Sequence, residues 1–384
     1  MIGLFNDSYP PVMDGVALTV QNYAKALHKK NQRVCVVTPR APKYADSSEY
    51  PVYRYASLPL PVRKPYCLGI PYADFPFQAM IKKIPFSLLH VHCPFSSAKV
   101  ALTLKKQQKA PIIATFHSKF RADFERIFNN RQITDWMLKE VIRFFESADE
   151  VWIPQAAVED TIREYGYRGK VIVMENGTDF PMDSDINALK RQSRQELNIP
   201  NGLPVFLFTG QHIWEKNTGL IIDTLALMNN LQFKMYFIGT GYAEKELKAM
   251  ANKYGLDSKV EFLGTIFDRK KLKSYYAAAD LFLFPSLYDN APLVLREASS
   301  QYTPSVLVRD STASEVIIDN YNGFLTENSS QAMAKRVMEL IGKPETLKQA
   351  GLNASKTIAR SWDDVAEEVL DRYFHLIRKH AETH

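Results

Sequence analysis

Residues 284–315 read FPSLYDNAPLVLREASSQYTPSVLVRDSTASE, and this stretch decides the predicted fold. It begins at the end of an apolar run, Leu281–Phe284, which is typical of a buried strand in a parallel sheet. A polar turn follows, and then a helix near Pro292, which suits the first helical turn because its missing N–H costs nothing there. A second strand is predicted at Ser305–Val308, and residues 312–315 (TASE) have the spacing of a capping box that opens another helix. This order of strands and helices predicts an α/β unit in which ligands bind at the edge of the sheet formed by the carboxyl ends of the strands.

Two acids of this stretch, Asp289 and Glu297, are eight positions apart and are predicted to lie beside that edge. A helix N-terminus next to them would suit a phosphate, and two carboxylates there could hold the hydroxyl groups of a sugar and a ribose. A purely structural explanation is also open, in which Asp289 caps a helix and Glu297 lies on a solvated face. The rest of the sequence is needed to distinguish the ligand-binding explanation from the structural one.

The alternation of strands and helices continues along the whole chain. Apolar runs predict strands at residues 1–5, 33–38, 88–92, 112–116, 150–154, 171–174, 205–208, 235–238 and 259–263. We therefore predict an α/β fold with two doubly wound, Rossmann-like domains that face a central cleft. The predicted domains are residues 1–180 and 195–360, joined by a linker near residues 180–200, and the amphipathic C-terminal helix 362–384 packs back on the first domain. Within the first domain, residues 119–147 are predicted as helices whose aromatic residues, Trp136 included, lie mainly in the core, with contact to the acceptor as the lesser alternative.

Composition limits the class of protein. With 384 residues, 46% apolar and 23% charged, the chain is an ordinary globular protein rather than a disordered one. Its three cysteines have no metal-binding spacing and predict reduced thiols in a cytosolic protein. The chain opens directly as a strand, so no secretion signal is predicted, and no apolar run approaches the roughly 20 residues that span a bilayer.

Positive charge is concentrated in the first third of the chain. Residues 1–120 contain 16 Lys+Arg and 5 Asp+Glu, a net charge of +11, whereas the whole chain carries +6. An excess of this kind predicts an anionic partner, which could be phosphates, an anionic membrane or nucleic acid. Six prolines between Pro59 and Pro85 are mixed with aromatic and basic residues. That mixture suits the interface of an anionic bilayer or single-stranded nucleic acid, and it is equally typical of a loop whose aromatic residues pack on the domain.

Other candidate residues follow the ends of predicted strands. His117 comes directly after one strand, where open α/β sheets bind ligands, and Lys216 follows another. Gly15 lies at a strand-to-helix turn, where a missing side chain permits close approach of a phosphate. Residues 239–241 (GTG) fall short of the full dinucleotide fingerprint, which disfavours a nicotinamide dehydrogenase. Residues 183–185 (DSD) form a possible metal-chelating D-x-D, but no strand precedes them, so no metal site is predicted.

A set of short motifs recurs in an order and spacing that together are specific. They are Asp14-Gly15-Val16, Thr115-Phe116-His117, Glu175-Asn176-Gly177, Thr209-Gly210 with Glu215-Lys216, Phe262-Leu263-Gly264, Tyr275 with Asp280, Phe284-Pro285-Ser286, Asp289 with Glu297, and Asn322-Gly323-Phe324. Over nearly its whole length the chain thereby resembles the retaining GT-B glycosyltransferases of family 4. Among these it is most similar to bacterial diacylglycerol glucosyltransferases and phosphatidylinositol mannosyltransferases, which act at the cytosolic face of the membrane.

The resemblance implies roles for individual residues. Glu297 would hold the ribose hydroxyls of a nucleotide, and Asp289 would hold hydroxyls of the donor sugar. Lys216 would neutralise the diphosphate, and His117 would contact the donor sugar near the reacting carbon. The other donor-binding residues that the resemblance implies are Gly15, Gln211, Ser311, Thr312 and Glu315.

Three positions depart from the family pattern. Asp289 is an aspartate where glutamate is usual, which shortens the side chain by one methylene. Gln211 stands where the family has a diphosphate-binding arginine, and Asp14 replaces the first glycine of a pair. These differences either retune donor choice or lower activity.

The function that the resemblance implies is transfer of a hexose, with glucose as first choice, from a UDP-sugar to a membrane lipid such as diacylglycerol. The product would be an α-glycoside, formed without metal or organic cofactor by a peripheral enzyme at the inner face of the cell membrane. Two alternatives stay open: a soluble or polysaccharide acceptor, and a degenerate protein that only binds nucleotide sugars. A nucleic-acid partner is disfavoured because it would leave the acidic pair without a role.

Overall fold

The computed structural model describes residues 1–60, 66–182 and 185–383, in which the chain forms two compact units. The first unit contains residues 1–176 and the C-terminal segment from Trp362, and the second contains Gly177–Ser361. Part of the predicted basic loop (Pro61, Arg63, Lys64 and Pro65) and the first two residues of the D-x-D lie outside the described residues.

The first unit is built on a parallel sheet. Its strands are β1 Ile2–Phe5, β2 Val34–Pro39, β3 Val52–Tyr55, β4 Ser57–Pro59, β5 Cys67–Gly69, β6 Leu88–Val91, β7 Ile112–Thr115, β8 Glu150–Ile153 and β9 Val171–Val173. Its helices before the second unit are α1 Gly15–Lys29, α2 Phe75–Ile81, α3 Ser96–Gln108, α4 Phe120–Phe128, α5 Arg131–Glu146 and α6 Val158–Glu164. The parallel sheet has the order β3-β2-β1-β6-β7-β8-β9, and β4 pairs with β5 in a separate antiparallel hairpin.

The start of α1 shows how the sequence sets a helix on this sheet. The Asp14 carboxylate accepts a hydrogen bond of 2.7 Å from the Ala17 amide, which satisfies one of the free donors at the helix N-terminus. Ala17, Val20, Ala24 and Leu27 then recur at helical spacing and are buried.

Exposed apolar side chains distinguish two parts of the first unit. On the β4–β5 hairpin and the segment that follows it, Leu58, Leu68, Tyr72, Phe75 and Met80 are exposed, with Phe75 at 76%. On α5, Trp136 is 59% exposed, so its predicted place in the core is wrong, although Phe144 and Phe145 of the same helix are buried. Trp136 and Phe145 are nine positions apart in α5, which places their side chains on opposite sides of the helix. No helix in the described ranges combines the length and the apolar character that a membrane span requires.

The second unit is built on a second parallel sheet. Its strands are β10 Val205–Thr209, β11 Lys234–Ile238, β12 Val260–Phe262, β13 Leu281–Phe284, β14 Ser305–Val308 and β15 Phe324–Thr326, in the order β12-β11-β10-β13-β14-β15. Its helices are α7 Ile186–Glu196, α8 Thr218–Leu227, α9 Glu244–Lys253, α10 Arg269–Ala278, α11 Leu293–Ser300, α12 Ser330–Ile341 and α13 Pro344–Thr357. All of β13 is buried, as expected for a strand with helices on both faces of its sheet. The predicted α/β class with two Rossmann-like sheets is confirmed.

Two segments differ from a simple linker-and-tail description. Residues 186–196, where the sequence predicts a linker, form α7, whose Lys190 and Arg194 pair with Asp280 at 2.6 and 2.7 Å. The second unit therefore begins before residue 195. The C-terminal helix α14, Trp362–Thr383, belongs to the first unit, where Lys30 of α1 lies 2.6 Å from Glu367.

Candidate active site

An ion pair lies at the carboxyl ends of two neighbouring strands of the second unit. Strands β10 and β13 pair with each other although β11 and β12 intervene in the chain, and such a switch point is where open α/β sheets bind ligands. Lys216 follows β10 and Asp289 follows β13. The Lys216 Nζ atom lies 2.7 Å from Oδ1 and 2.9 Å from Oδ2 of Asp289. The fold thus brings two residues for which the resemblance implies roles at the donor into direct contact, with side chains only 12% and 16% exposed.

The pair is fixed by its neighbours. The Ser286 hydroxyl donates a hydrogen bond of 2.6 Å to Asp289 Oδ2, and the Lys216 ammonium lies 5.5 Å from the centre of the Phe284 ring. Gly210 has a left-handed φ of +153°, and a Cβ atom there would lie 3.6 Å from Lys216 Cδ. The exposed Gln211 carries no charge, so the positive charge near this turn comes from Lys216.

Glu297 lies on α11 and is buried, with 5% of its surface exposed. Its Oε1 atom accepts a hydrogen bond of 2.7 Å from Arg269 Nη2, and its Oε2 atom accepts one of 2.7 Å from the Tyr276 hydroxyl. The N-cap of α11 is Pro292, one position before the helix and not inside its first turn as predicted. The purely structural explanation of the acidic pair is therefore wrong on both counts, because Glu297 is not solvated and Asp289 does not cap α11.

The partners of Glu297 keep their protons at neutral pH. Burial by itself lowers the pKa of the Arg269 guanidinium, but Glu297 and Asp179 together raise it above its usual value. Burial, reinforced by the neighbouring Glu297 carboxylate, raises the pKa of the Tyr276 hydroxyl well above its usual value. The Glu297 carboxylate thus has a charged donor on one oxygen and a neutral donor on the other.

The predicted capping box at residues 312–315 is wrong. These residues form a short 3-10 helix, Thr312–Val316, whose N-cap is Ser311, and no side chain caps it. The Ser311 hydroxyl instead donates to the Val308 carbonyl at 2.8 Å. The α-helix that the box would open does not form, because the 3-10 segment already ends at Val316. Ser311, Thr312 and Glu315 follow β14, the strand beside β13, so the same sheet edge carries them.

Two glycines of the GTG sequence have a structural explanation. A Cβ atom at Gly239 would lie 2.0 Å from the Gly210 carbonyl oxygen, and one at Gly241 would lie 2.2 Å from the His212 carbonyl oxygen. The backbones after β10 and β11 therefore approach too closely for any other residue. This contact holds the turn that carries Lys216.

In the first unit, His117 is one of three histidines in contact. His117 Nε2 lies 3.0 Å from His92 Nδ1, with the two rings stacked, and the His92 ring centre lies 4.0 Å from that of His90. His90 contacts Thr115 at 2.7 Å and the Tyr373 hydroxyl of α14 at 2.5 Å. The three histidines are in contact because β6 and β7 are neighbours in the sheet, so residues at the carboxyl ends of these strands meet.

The three histidines are neutral in the folded protein. Burial lowers the pKa of His117 to about 3, and it lowers the pKa of both His90 and His92 well below the usual 6.5. His117 is therefore suited to a neutral hydrogen bond rather than to a charged contact.

We expect the first unit to lose stability when the pH falls below about 6.5. In that range the unfolded chain binds protons on these histidines while the folded protein does not, so the free energy of unfolding decreases by up to about 1.4 kcal/mol per pH unit for each histidine. Urea unfolding at pH 7 and at lower pH measures this slope. A His92→Phe variant should show a shallower slope, and an unchanged slope would contradict the assignment.

Gly15 is the first residue of α1 and needs no glycine for its own conformation. A Cβ atom there would meet nothing within 4 Å, and its φ lies outside the left-handed range. Packing within the first unit therefore does not explain why residue 15 is a glycine. Close approach of a ligand to the backbone is an explanation that fits.

The D-x-D sequence gives no metal site among the described residues. Asp185 is the N-cap of α7 and accepts a hydrogen bond of 2.9 Å from the Ala188 amide. Within residues 1–60, 66–182 and 185–383, no group of three or more His, Cys, Asp or Glu side chains is arranged to hold a metal ion.

Comparison with known proteins finds glycosyltransferase family models, relatives and solved structures that match this chain. The family model "Glycosyltransferase Family 4" matches residues 13–180, and "Glycosyl transferases group 1" matches residues 190–357. The alpha-monoglucosyldiacylglycerol synthase of Streptococcus pneumoniae is 24% identical over 351 residues, which cover 90% of this chain and 79% of that protein. The structure of sucrose-phosphate synthase from Thermosynechococcus elongatus has a TM-score of 0.82 at 21% identity, covering 98% of this chain and 99% of that one. The structure of Anabaena HepE in complex with UDP-glucose has a TM-score of 0.75 at 19% identity, covering 97% and 98%.

The chain belongs to the GT-B glycosyltransferases, with a family 4 domain followed by a group 1 domain. The resemblance read from the sequence motifs is thereby confirmed, and the protein is a glycosyltransferase.

Proposed function

We propose that this glycosyltransferase transfers a hexose, with glucose as first choice, from a UDP-sugar to a membrane lipid of the diacylglycerol type, with retention of the α configuration. The observation that carries the proposal is the Lys216 cation at the switch point of the second sheet, next to the Asp289 carboxylate and in the same unit as the buried Glu297. A cation suits a diphosphate, and carboxylates suit the hydroxyls of sugars.

In the proposed reaction the acceptor hydroxyl oxygen attacks the anomeric carbon from the face that the diphosphate leaves. The leaving diphosphate oxygen takes the proton of the acceptor. Lys216 stabilises the charge that develops on the diphosphate, so we propose that transfer needs no divalent metal. Glu297 holds the ribose hydroxyls, Asp289 holds hydroxyls of the sugar, and the neutral His117 contacts the sugar through a hydrogen bond.

A UDP-sugar donor is supported by the relative that was crystallised with UDP-glucose. The amides of Ser311 and Thr312 follow β14 at the same sheet edge as Lys216, which fits their proposed contact with the diphosphate. Gly15, with open space where a side chain would be, fits a backbone contact with the donor.

A lipid acceptor is supported by two features of the first unit and by the diacylglycerol synthase relative. Residues 1–120 carry a net charge of +11. In the same part of the chain, the exposed Phe75 and Tyr72 precede the exposed Lys82 and Lys83. Aromatic rings that enter the interface and cations that meet anionic headgroups are the means by which peripheral proteins bind bilayers. We therefore propose a peripheral location at the inner face of the cell membrane.

The proposal is tested by measuring sugar transfer from a panel of nucleotide sugars in the presence of EDTA, with and without anionic vesicles that contain diacylglycerol. We expect transfer from a UDP-hexose that depends on the vesicles and is indifferent to EDTA. Full activity on a water-soluble acceptor would overturn the lipid assignment, and nucleotide binding without transfer to any acceptor would indicate a degenerate enzyme.

A matched pair of variants tests the membrane contact separately. Phe75→Ser should reduce binding to anionic vesicles in a sedimentation assay, because the exposed ring is lost. Phe374→Ser, at a 42% exposed position on α14, is the control and should bind vesicles like the wild type. Equal binding by all three proteins would contradict the role of Phe75.

A further inference from the structure

Arg269 is held in a fixed position between two carboxylates of the second unit. Its Nη2 atom lies 2.7 Å from Glu297 Oε1. Its Nε atom lies 3.0 Å from Asp179 Oδ2, and its Nη2 atom also contacts the other oxygen of Asp179. The guanidinium lies 4.1 Å from the centre of the buried Phe180 ring. A planar donor group that is bridged on two edges and stacked on one face has little freedom left.

This arrangement leaves free acceptor sites on Glu297. An ionised carboxylate has about four acceptor sites, two on each oxygen. Arg269 occupies one site on Oε1 and Tyr276 occupies one site on Oε2. Counting the contacts among the described residues, one site on each oxygen remains, which is the number that two adjacent hydroxyl groups of a ribose require. A buried carboxylate also needs an opposite charge nearby, and Arg269 supplies it.

We infer that Arg269 is a positioning residue for nucleotide recognition: it orients the Glu297 carboxylate so that both remaining acceptor sites face the ribose diol of the donor. The inference rests on the proposed function, in which Glu297 holds the ribose. Lysine cannot replace Arg269, because a single ammonium group cannot bridge Asp179 and Glu297 with the fork of donors that a guanidinium has.

The test compares the binding of UDP with that of its 2′-deoxy and 3′-deoxy analogues by calorimetry, in the wild type and in Arg269→Lys. The wild type should prefer UDP by about tenfold or more, as expected for a hydroxyl bonded to a charged group. In Arg269→Lys the affinity for UDP should fall while that for the deoxy analogues changes little, so the preference should approach one. A merely structural role of Arg269 would weaken all three ligands alike.

Arg309→Lys is a matched control in the same unit. Arg309 also bridges two carboxylates, with Nη2 at 3.2 Å from Asp319 and Nε at 3.4 Å from Glu327. The control should keep the wild-type preference for UDP. If Arg269→Lys keeps that preference as well, the inference is overturned.

A second variant covers the case in which Arg269→Lys does not fold. Tyr276→Phe keeps the buried ring but removes the other donor to Glu297, and it should also narrow the preference for UDP over the deoxy analogues. An unchanged preference in this variant would contradict the inference. Failure of the wild type to bind UDP would overturn the proposed function, and the inference with it, whereas UDP binding without a preference for the ribose hydroxyls would overturn the inference alone.

Discussion

Replacing Lys216 by alanine should lower the rate of sugar transfer by about a hundredfold or more, which is the usual effect of removing one preorganised group that stabilises charge in a transition state. The ammonium group matters most when the bond to the diphosphate breaks, so the loss should be larger in kcat than in the donor affinity. Steady-state kinetics with the donor identified by the transfer assay measure both quantities. Wild-type kcat in this variant would refute the role of Lys216.

The ion pair with Asp289 adds a second effect to this substitution. In Lys216→Ala the Asp289 carboxylate loses its cation and keeps the Ser286 hydroxyl, at 2.6 Å. Its negative charge then repels the diphosphate, so donor affinity should fall as well. The double variant Lys216→Ala/Asp289→Asn should recover part of the affinity for UDP but not the turnover. Recovery of neither would show that the pair does not couple to the diphosphate.

A lysine with a similar partner but a different place in the sheet provides the control. Lys234 pairs with Glu261 at 3.1 Å and is the first residue of β11, at the amino end of its strand. The carboxyl ends that carry Lys216 lie at the opposite edge of the sheet. Lys234→Ala should therefore leave kcat and donor affinity at their wild-type values.

The fold class could be predicted from the sequence because parallel strands that are buried on both faces are recognisable as apolar runs. The predicted strands Leu281–Phe284 and Ser305–Val308, the first of them apolar throughout, correspond to observed strands with the same limits. The order of the strands within the sheet cannot be recognised in this way, because it depends on which strands pair with each other. The contact between Lys216 and Asp289 spans 73 positions and exists only because β10 lies beside β13.

Residues that act through other residues were the ones the sequence could not reveal. Arg269 and Tyr276 lie 28 and 21 positions from Glu297, and Asp179 lies 90 positions from Arg269. Each looks like an ordinary surface or helix residue in the sequence. The signal that could have found Arg269 is physical: a buried carboxylate requires a nearby cation. His92 was missed for a similar reason, because its contact with His117 depends on the pairing of β6 with β7.

Replacing Glu297 by alanine should weaken UDP binding by about 1–3 kcal/mol, as expected when hydroxyl groups lose a charged hydrogen-bond partner. It should also destabilise the second unit by about 2–3 kcal/mol, because the fully buried Tyr276 hydroxyl is left without the carboxylate. The cost is smaller than for an isolated buried pair, since Arg269 keeps Asp179 as a partner. Calorimetry with UDP and thermal unfolding measure the two effects.

Two further variants separate binding from stability. Glu297→Gln keeps the volume and an acceptor for Tyr276, so it should be more stable than Glu297→Ala, yet its amide next to Arg269 should bind UDP poorly. Glu196→Ala is the control, because this exposed glutamate also accepts a hydroxyl hydrogen bond, 2.7 Å from Ser274, and its loss should change neither quantity. If Glu297→Ala binds UDP like the wild type at a temperature where both are folded, Glu297 supports the unit and does not hold the ribose. A weakened affinity in the stable Glu297→Gln variant would instead tie the loss of binding to the carboxylate itself, because the fold around it is kept.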